Sequence, residues 1–162
     1  MAVQRWGEPR LTTDVDLTLL TGFGREEQFT DLLLTHFRPR RADARQFALE
    51  SRVVLLEDKA GTPLDIALGV IPFEERAVQR ATPWEVEGNM SFITCSAEDL
   101  IVFRAFAARG IDWMDVERII MRQGSKLRVD QILSELRPLV QAKDEPQILS
   151  QLQAIFDQYL AD

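Results

Sequence analysis

The sequence predicts an α+β fold, with a small mixed β-sheet lobe and flanking helices over residues 1–94 and a helical bundle over residues 95–162. Three observations lead to this prediction. Polar and apolar side chains alternate with a period of two over residues 14–19, which is typical of a half-buried strand. Two further extended runs surround a polar turn that contains Gly61. From Ser96 onward, the apolar residues recur at helical spacing.

The first predicted strand carries two acids on one face. Asp14 and Asp16 alternate with Val15 and Leu17, so the apolar side chains should face the core and the carboxylates the opposite side. Two neighbouring carboxylates repel each other unless a cation lies between them, and Mg²⁺ takes oxygen ligands of this kind. An Asp-x-Asp pair also arises by chance, so a solvated strand face is the alternative interpretation.

The second strand of the predicted hairpin, residues 63–69, supplies a third acid. Its apolar side chains alternate with Asp65, which shares a face with the small residues Ala67 and Gly69. A carboxylate in such a strand is costly unless it is paired or bound to a metal. If this strand lies beside the first one, Asp65 joins the first two acids, and a small open space remains above Ala67 and Gly69.

Helices on either side of the hairpin complete the predicted lobe. Acids after Gly24 and apolar residues at helical spacing from Phe29 to His36 predict a helix that crosses the sheet. A short helix is predicted from Pro72, since proline and acids suit a helix N-terminus. Residues 90–94 predict one more strand.

Four amphipathic helices joined by short loops are predicted to form the bundle. Ser96 with Asp99 three residues later resembles a capping box, and Gly110 stands where a glycine commonly ends a helix. Asp112 and Asp115 are expected to open the second helix. The alternative interpretation is that both acids only cap this helix.

The charge of the chain restricts its partners. A net charge of −7 argues against a broad surface that binds nucleic acid through its phosphates. One local basic cluster is present, made of Arg38, Arg40, Arg41 and Arg45. The alternative interpretation of this cluster is a solvated loop.

The chain has one cysteine and one histidine, which limits the disulfides and histidine-based sites that it can form. Cys95 cannot form an internal disulfide, which favours a cytoplasmic location, and we expect it in a buried strand. His36 is expected at a helix end without a catalytic role. No apolar run approaches the length of a membrane span, so no membrane partner is expected.

Several short motifs, in a specific order, resemble one known family. Residues 7–17, Gly-Glu-Pro-Arg-Leu-Thr-Thr-Asp-Val-Asp-Leu, resemble the signature of the polymerase-β-type nucleotidyltransferase superfamily, in its AbiEii/AbiGii toxin branch. Residues 64–66 followed by residues 73–75 are similar to the third-carboxylate strand and the helix after it. Residues 96–101, Arg109 and the Asp112-x-x-Asp115 pair are similar to the helical part. The resemblance extends over most of the chain.

The resemblance implies a function. In that family, three acids bind Mg²⁺, which holds a nucleoside triphosphate while a hydroxyl attacks its α-phosphorus and pyrophosphate leaves. Asp14, Asp16 and Asp65 are the implied catalytic and metal-binding residues, with Mg²⁺ or Mn²⁺ as the cofactor. The acceptor would be a hydroxyl of RNA or protein, and the protein would be a toxin with an antitoxin-like partner. The implied contacts to the nucleoside triphosphate are Arg10, Thr13 and Arg104, the last in place of the family's usual lysine.

Two features leave an alternative open. In the family, a Gly-Gly or Gly-Ser pair at or ahead of the start of the helix before the Asp-x-Asp strand holds the triphosphate. Residues 1–7 match the end of that helix, and the pair is absent. Either the sequence begins late or the cradle has been lost, so the alternative is an N-terminally truncated, catalytically inactive binding module. Arg104 has its own alternative, an ion pair with Glu98 or Glu117.

Overall fold

The computed structural model describes residues 1–9, 12, 14–86, 88 and 90–160. The chain divides into two compact units, which consist of Met1 with Leu11–Gln79 and of Ala2–Arg10 with Arg80–Asp162. Residues 80–94 therefore group with the second unit, and the expected domain boundary after residue 94 stays a prediction. Within the described residues, none of the helices combines the length and hydrophobicity that a membrane span requires.

The α+β prediction is confirmed, because the first unit combines a mixed sheet with helices and the second unit is mostly helical. A 3₁₀ turn, Gly124–Lys126, lies between the sixth and seventh helices. The elements in chain order are α1 (Ala2–Trp6), β1 (Val15–Leu20), α2 (Glu26–His36), β2 (Arg38–Pro39), α3 (Ala44–Ser51), β3 (Val53–Glu57), β4 (Pro63–Gly69), α4 (Pro72–Arg80), β5 (Thr82–Val86), β6 (Met90–Thr94), α5 (Ala97–Ala107), α6 (Gly110–Gln123), α7 (Val129–Lys143) and α8 (Gln147–Leu160).

The sheet of the first unit has its described strands in the order β1-β4-β3-β2. β1 is parallel to β4, whereas β3 is antiparallel to both of its neighbours. The predicted hairpin is confirmed as β3 and β4, and the Asp58 carboxylate accepts hydrogen bonds from the backbone N–H groups of Ala60 and Thr62 in its turn, both at 2.8 Å. A parallel pair needs a long crossover connection, and the segment from α2 to β3 supplies it between β1 and β4.

One face of this sheet forms the hydrophobic core of the first unit. Side chains of β3 and β4 alternate, so Leu56 and Leu68 are buried on the core face together with Ala48 of α3. Leu17 was expected in this core, but it is 48% exposed because β1 is an edge strand. The remaining core residues are Val54, Ile66 and the partly buried Leu19, Leu33, Leu34, Phe37 and Leu64.

The second unit contains the antiparallel hairpin of β5 and β6 and the helices α5 to α8. The four predicted amphipathic helices are confirmed, since each buries an apolar stripe against the others. Helix α1 packs against α5 and α6. The fully buried apolar residues of the helices are Ile101, Val102, Ala105, Val116, Ile119, Ile120, Ile132, Leu136 and Leu152.

The helix caps agree with the sequence at some positions and differ at one. The Ser96 hydroxyl accepts a hydrogen bond from the backbone N–H of Asp99 at 3.1 Å, as predicted. The prediction that Gly110 ends α5 is wrong, because Ala108 takes the left-handed conformation there with φ 56° and Gly110 begins α6. Asp112 caps α6 as expected, and its Oδ2 accepts from the Arg109 N–H at 3.3 Å.

Candidate metal centre

Three acids meet at one point on the sheet of the first unit. Asp16 and Asp65 are direct partners in the register of the parallel β1–β4 pair, and Asp14 immediately precedes β1. One carboxylate oxygen from each acid can be chosen so that all three lie within 4.8 Å of one another. Asp14 and Asp16 are exposed, whereas Asp65 is half-buried. The structure therefore brings together the three acids that the sequence analysis grouped.

The strand period explains why these acids share one side of the sheet. Ile66 points into the core, so Asp65, one residue earlier, points to the opposite face. Asp16 lies beside Asp65 in a parallel register and therefore projects from the same face. Helices α2 and α3 supply side chains to the core face, which leaves the carboxylates on the face away from that core.

The three carboxylates fit a divalent cation. Ligand atoms at the Mg–O distance of about 2.0–2.1 Å are at most about 4.2 Å apart across the ion. The three carboxylate oxygens lie within 4.8 Å of one another, so small side-chain rotations bring them to the spacing that Mg²⁺ needs. An all-oxygen carboxylate set is the chemistry that Mg²⁺ and Mn²⁺ prefer.

The open space expected above Gly69 is filled. A Cβ at Gly69 would lie 3.0 Å from Cγ2 of Thr18, 3.1 Å from Cδ2 of Leu20 and 3.4 Å from Oε2 of Glu74. Gly69 is buried, and Thr18 and Leu20 project from the same face of β1 as Asp16. The expectation of a vacant pocket there is therefore wrong, because β1 side chains cover the glycine.

One arginine of the local basic cluster contacts this site. The Arg40 guanidinium forms an ion pair through Nη2 with Oδ1 of Asp65. Both side chains are about one-third exposed, at 30% and 32%. One signal in the sequence pointed to such a contact, the costly carboxylate in an apolar strand, but it did not identify the partner.

Of the three expected triphosphate contacts, the structure describes only Arg104. Arg10 and Thr13 lie outside the described residues. Arg104 lies in α5 and pairs with two acids of α6, with Nη1 2.9 Å from Oδ1 of Asp112 and Nε 3.7 Å from Oδ2 of Asp115. Both of these acids are fully buried. The ion-pair alternative for Arg104 thus has different partners from those expected, and its role toward a triphosphate stays a prediction.

Two arginines hold Asp112 in its charged form. Burial alone would raise the pKa of Asp112, but hydrogen bonds from Arg109 and Arg104 outweigh it and lower that pKa below the usual 3.8. Arg109 Nη2 lies 3.1 Å from Oδ1 of Asp112. This arrangement stabilises the start of α6 and gives Asp112 more than a capping role.

The surroundings of the single cysteine and the single histidine differ. Cys95 was expected in a strand but follows β6, and burial, assisted by the negative charge of Asp99, raises the pKa of its thiol to about 12. A protonated thiol is a poor nucleophile. His36 ends α2 in an exposed position, where its Nδ1 hydrogen-bonds the Thr35 hydroxyl at 2.8 Å.

Similarity to this chain was sought among protein families, curated proteins and solved structures. No family model and no curated protein matches the chain. Among solved structures, the chain is similar to an antigenic nucleotidyltransferase-like protein from Paracoccidioides brasiliensis, at 17% sequence identity and a TM-score of 0.46. The alignment covers 94% of this chain and 81% of that chain. A similarity at this TM-score does not establish a shared fold.

Proposed function

We propose that this protein is a divalent-metal-dependent nucleotidyltransferase that moves a nucleoside monophosphate from a nucleoside triphosphate to a hydroxyl. The observation that carries the proposal is the meeting of Asp14, Asp16 and Asp65 on the non-core face of a mixed sheet. Three carboxylates this close repel one another, and a bound divalent cation removes that cost. The order of the motifs along the sequence supports the same function.

Each acid has a distinct part in this reaction. Asp14 and Asp16 hold the cation from the edge strand, and Mg²⁺ or Mn²⁺ there would neutralise the triphosphate and activate its α-phosphorus. Asp65 completes the ligand set and accepts the proton of the attacking hydroxyl, since its carboxylate lies beside the same point. Arg10, Thr13 and Arg104 contact the phosphates in this proposal, and pyrophosphate is the leaving group.

The acceptor is proposed to be a hydroxyl of RNA or protein, as in the family that the sequence resembles. The toxin role and the antitoxin-like partner belong to the same proposal. Growth arrest on induced expression, absent when Asp16 is replaced by asparagine, would support a toxin. Normal growth with a soluble, metal-binding protein would contradict it.

The transfer reaction is tested with α-phosphate-labelled ATP, GTP, CTP and UTP. We expect Mg²⁺-dependent incorporation of label into RNA or protein from one of them, and none in Asp16→Asn or in the presence of EDTA. Label incorporation that survives Asp16→Asn would contradict the assigned site. The matched control is Asp31→Asn, which removes an exposed acid of α2 outside the triad.

A catalytically inactive binding module is the second candidate, and one observation favours it. Arg104 is engaged by Asp112 and Asp115, which ties its guanidinium to buried carboxylates of its own unit. A triphosphate that raises the melting temperature with Mg²⁺ but is not turned over would support the module. Turnover with the expected metal dependence would exclude it.

A further inference from the structure

Arg40 occupies a specific position relative to the acidic site. Its backbone N–H donates to the carbonyl of Leu55 at 3.0 Å, directly after β2. Leu55 is the register partner of Asp65, and Asp65 is the register partner of Asp16. Arg40, Leu55, Asp65 and Asp16 therefore lie in one row across four chain segments, and the arginine side chain reaches across one strand to the acid.

The neighbouring arginines have partners outside the triad. Arg38 pairs with Glu57 across the β2–β3 register, and Arg41 Nη2 lies 2.8 Å from Oδ2 of Asp43. Arg45 pairs with two acids of α2. These local pairs leave the cluster with little net positive charge, so it does not form the open basic patch considered from the sequence. Arg40 differs from these neighbours because its carboxylate belongs to the candidate metal centre.

The same carboxylate, that of Asp65, is offered to two cations. Oδ1 of Asp65 accepts the Arg40 guanidinium, and Asp65 is also one of three acids grouped around a divalent site. A guanidinium has donors but no lone pair to share with a metal, so it cannot join the ligand set. A metal placed close to Asp65 would also repel the arginine charge. Cation binding and the Arg40–Asp65 pair therefore oppose each other.

We propose that Arg40 is the built-in counter-ion of the metal centre: a divalent cation displaces it from Asp65, and the freed guanidinium then binds the phosphates of the substrate. This inference rests on the proposed function. Attachment at the end of β2 keeps the freed group beside the site. The planar fork of a guanidinium matches phosphate oxygens, and its partial exposure leaves room for it to move.

The first test is a titration with Mn²⁺ alone, followed by electron paramagnetic resonance, on the wild type, Arg40→Gln, Arg40→Lys and Arg38→Gln. Removing the competing charge at Arg40 should tighten Mn²⁺ binding by about two- to fivefold, the range for a partly exposed ion pair. Arg40→Lys keeps the charge and should stay near the wild type. Arg38→Gln is the matched control, because it removes an arginine paired outside the triad.

The second test measures triphosphate binding at saturating Mn²⁺, where the acids are already occupied. Arg40→Gln should then bind the triphosphate more weakly than the wild type, and Arg40→Lys should recover part of the loss. Equal or weaker Mn²⁺ binding by Arg40→Gln would overturn the inference, since it would mean that Arg40 only holds Asp65 in place. Unchanged triphosphate binding by Arg40→Gln would overturn the phosphate contact. Failure of the wild type itself to bind Mn²⁺ would instead refute the proposed function.

Discussion

Replacing Arg104 by alanine tests the charged cluster between α5 and α6. Arg104 lies 2.9 Å from Asp112 and 3.7 Å from Asp115, and both carboxylates are fully buried. Its own side chain is only 16% exposed. The substitution therefore removes a cation from a region where water cannot replace it, and it also removes the packing of the arginine stem.

The expected loss follows from this burial. Breaking a buried ion pair by removing one partner costs about 3–5 kcal/mol. Arg109 still donates to Asp112, so we expect the lower part of that range, about 3 kcal/mol of unfolding free energy. For a protein of this length, that loss corresponds to a decrease in melting temperature of about 6–12 °C.

Urea denaturation followed by circular dichroism measures the loss directly. The matched control is Arg118→Ala. Arg118 Nε lies 3.2 Å from Oε2 of Glu8, which is largely exposed, so this variant should lose less than about 1 kcal/mol of unfolding free energy. A loss for Arg104→Ala no larger than that of the control would refute the view that the cluster is a buried stabilising network.

Three further predictions concern packing and titration. Gly69→Ala should cost about 1–3 kcal/mol in a denaturant titration, because β1 side chains approach within 3.0 Å, whereas Gly110→Ala meets open space and should be neutral or stabilising. The lowered pKa of Asp112 contributes stability that is fully present above pH 3.8 and is lost as pH falls toward that lowered pKa. Acid unfolding of Asp112→Asn should therefore show a shallower pH dependence below pH 3.8 than that of the wild type. Cys95, with its pKa raised to about 12, should react with iodoacetamide at pH 8 far more slowly in the folded protein than in urea, and equal rates would contradict its burial.

Elements with a strong hydrophobic period could be predicted from the sequence. β4 and the helices α6 to α8 carry apolar residues at the spacing of one buried face, and this spacing indicates the element type. The third acid could also be found, because a carboxylate in an apolar strand requires a partner. The local pattern does not predict the strand order. The position of Asp65 beside Asp16 therefore depended on the strand register, which the structure supplies.

Elements without that period were missed. α3 begins within the arginine cluster, and β5 contains a proline at Pro83, so neither gave a clear pattern. Arg40 and Asp65 are 25 residues apart in the sequence and meet because β2, β3 and β4 are neighbours in the sheet. Local spacing cannot indicate such a contact. Ala108 takes the left-handed conformation at the end of α5, which the sequence pattern assigned to Gly110 because glycine adopts it without steric cost.

The most direct test of the central claim is the affinity of Mn²⁺ for the wild type and for Asp14→Asn, Asp16→Asn and Asp65→Asn. We expect each substitution to weaken binding at least tenfold. In Asp14→Asn and Asp16→Asn the melting temperature without metal should stay level or rise, because the mutual repulsion of the acids is relieved. Asp31→Asn, outside the triad, should bind Mn²⁺ like the wild type. Unchanged affinity in the triad variants, or a clear fall in melting temperature with no effect on Mn²⁺, would contradict a metal centre built from these three carboxylates.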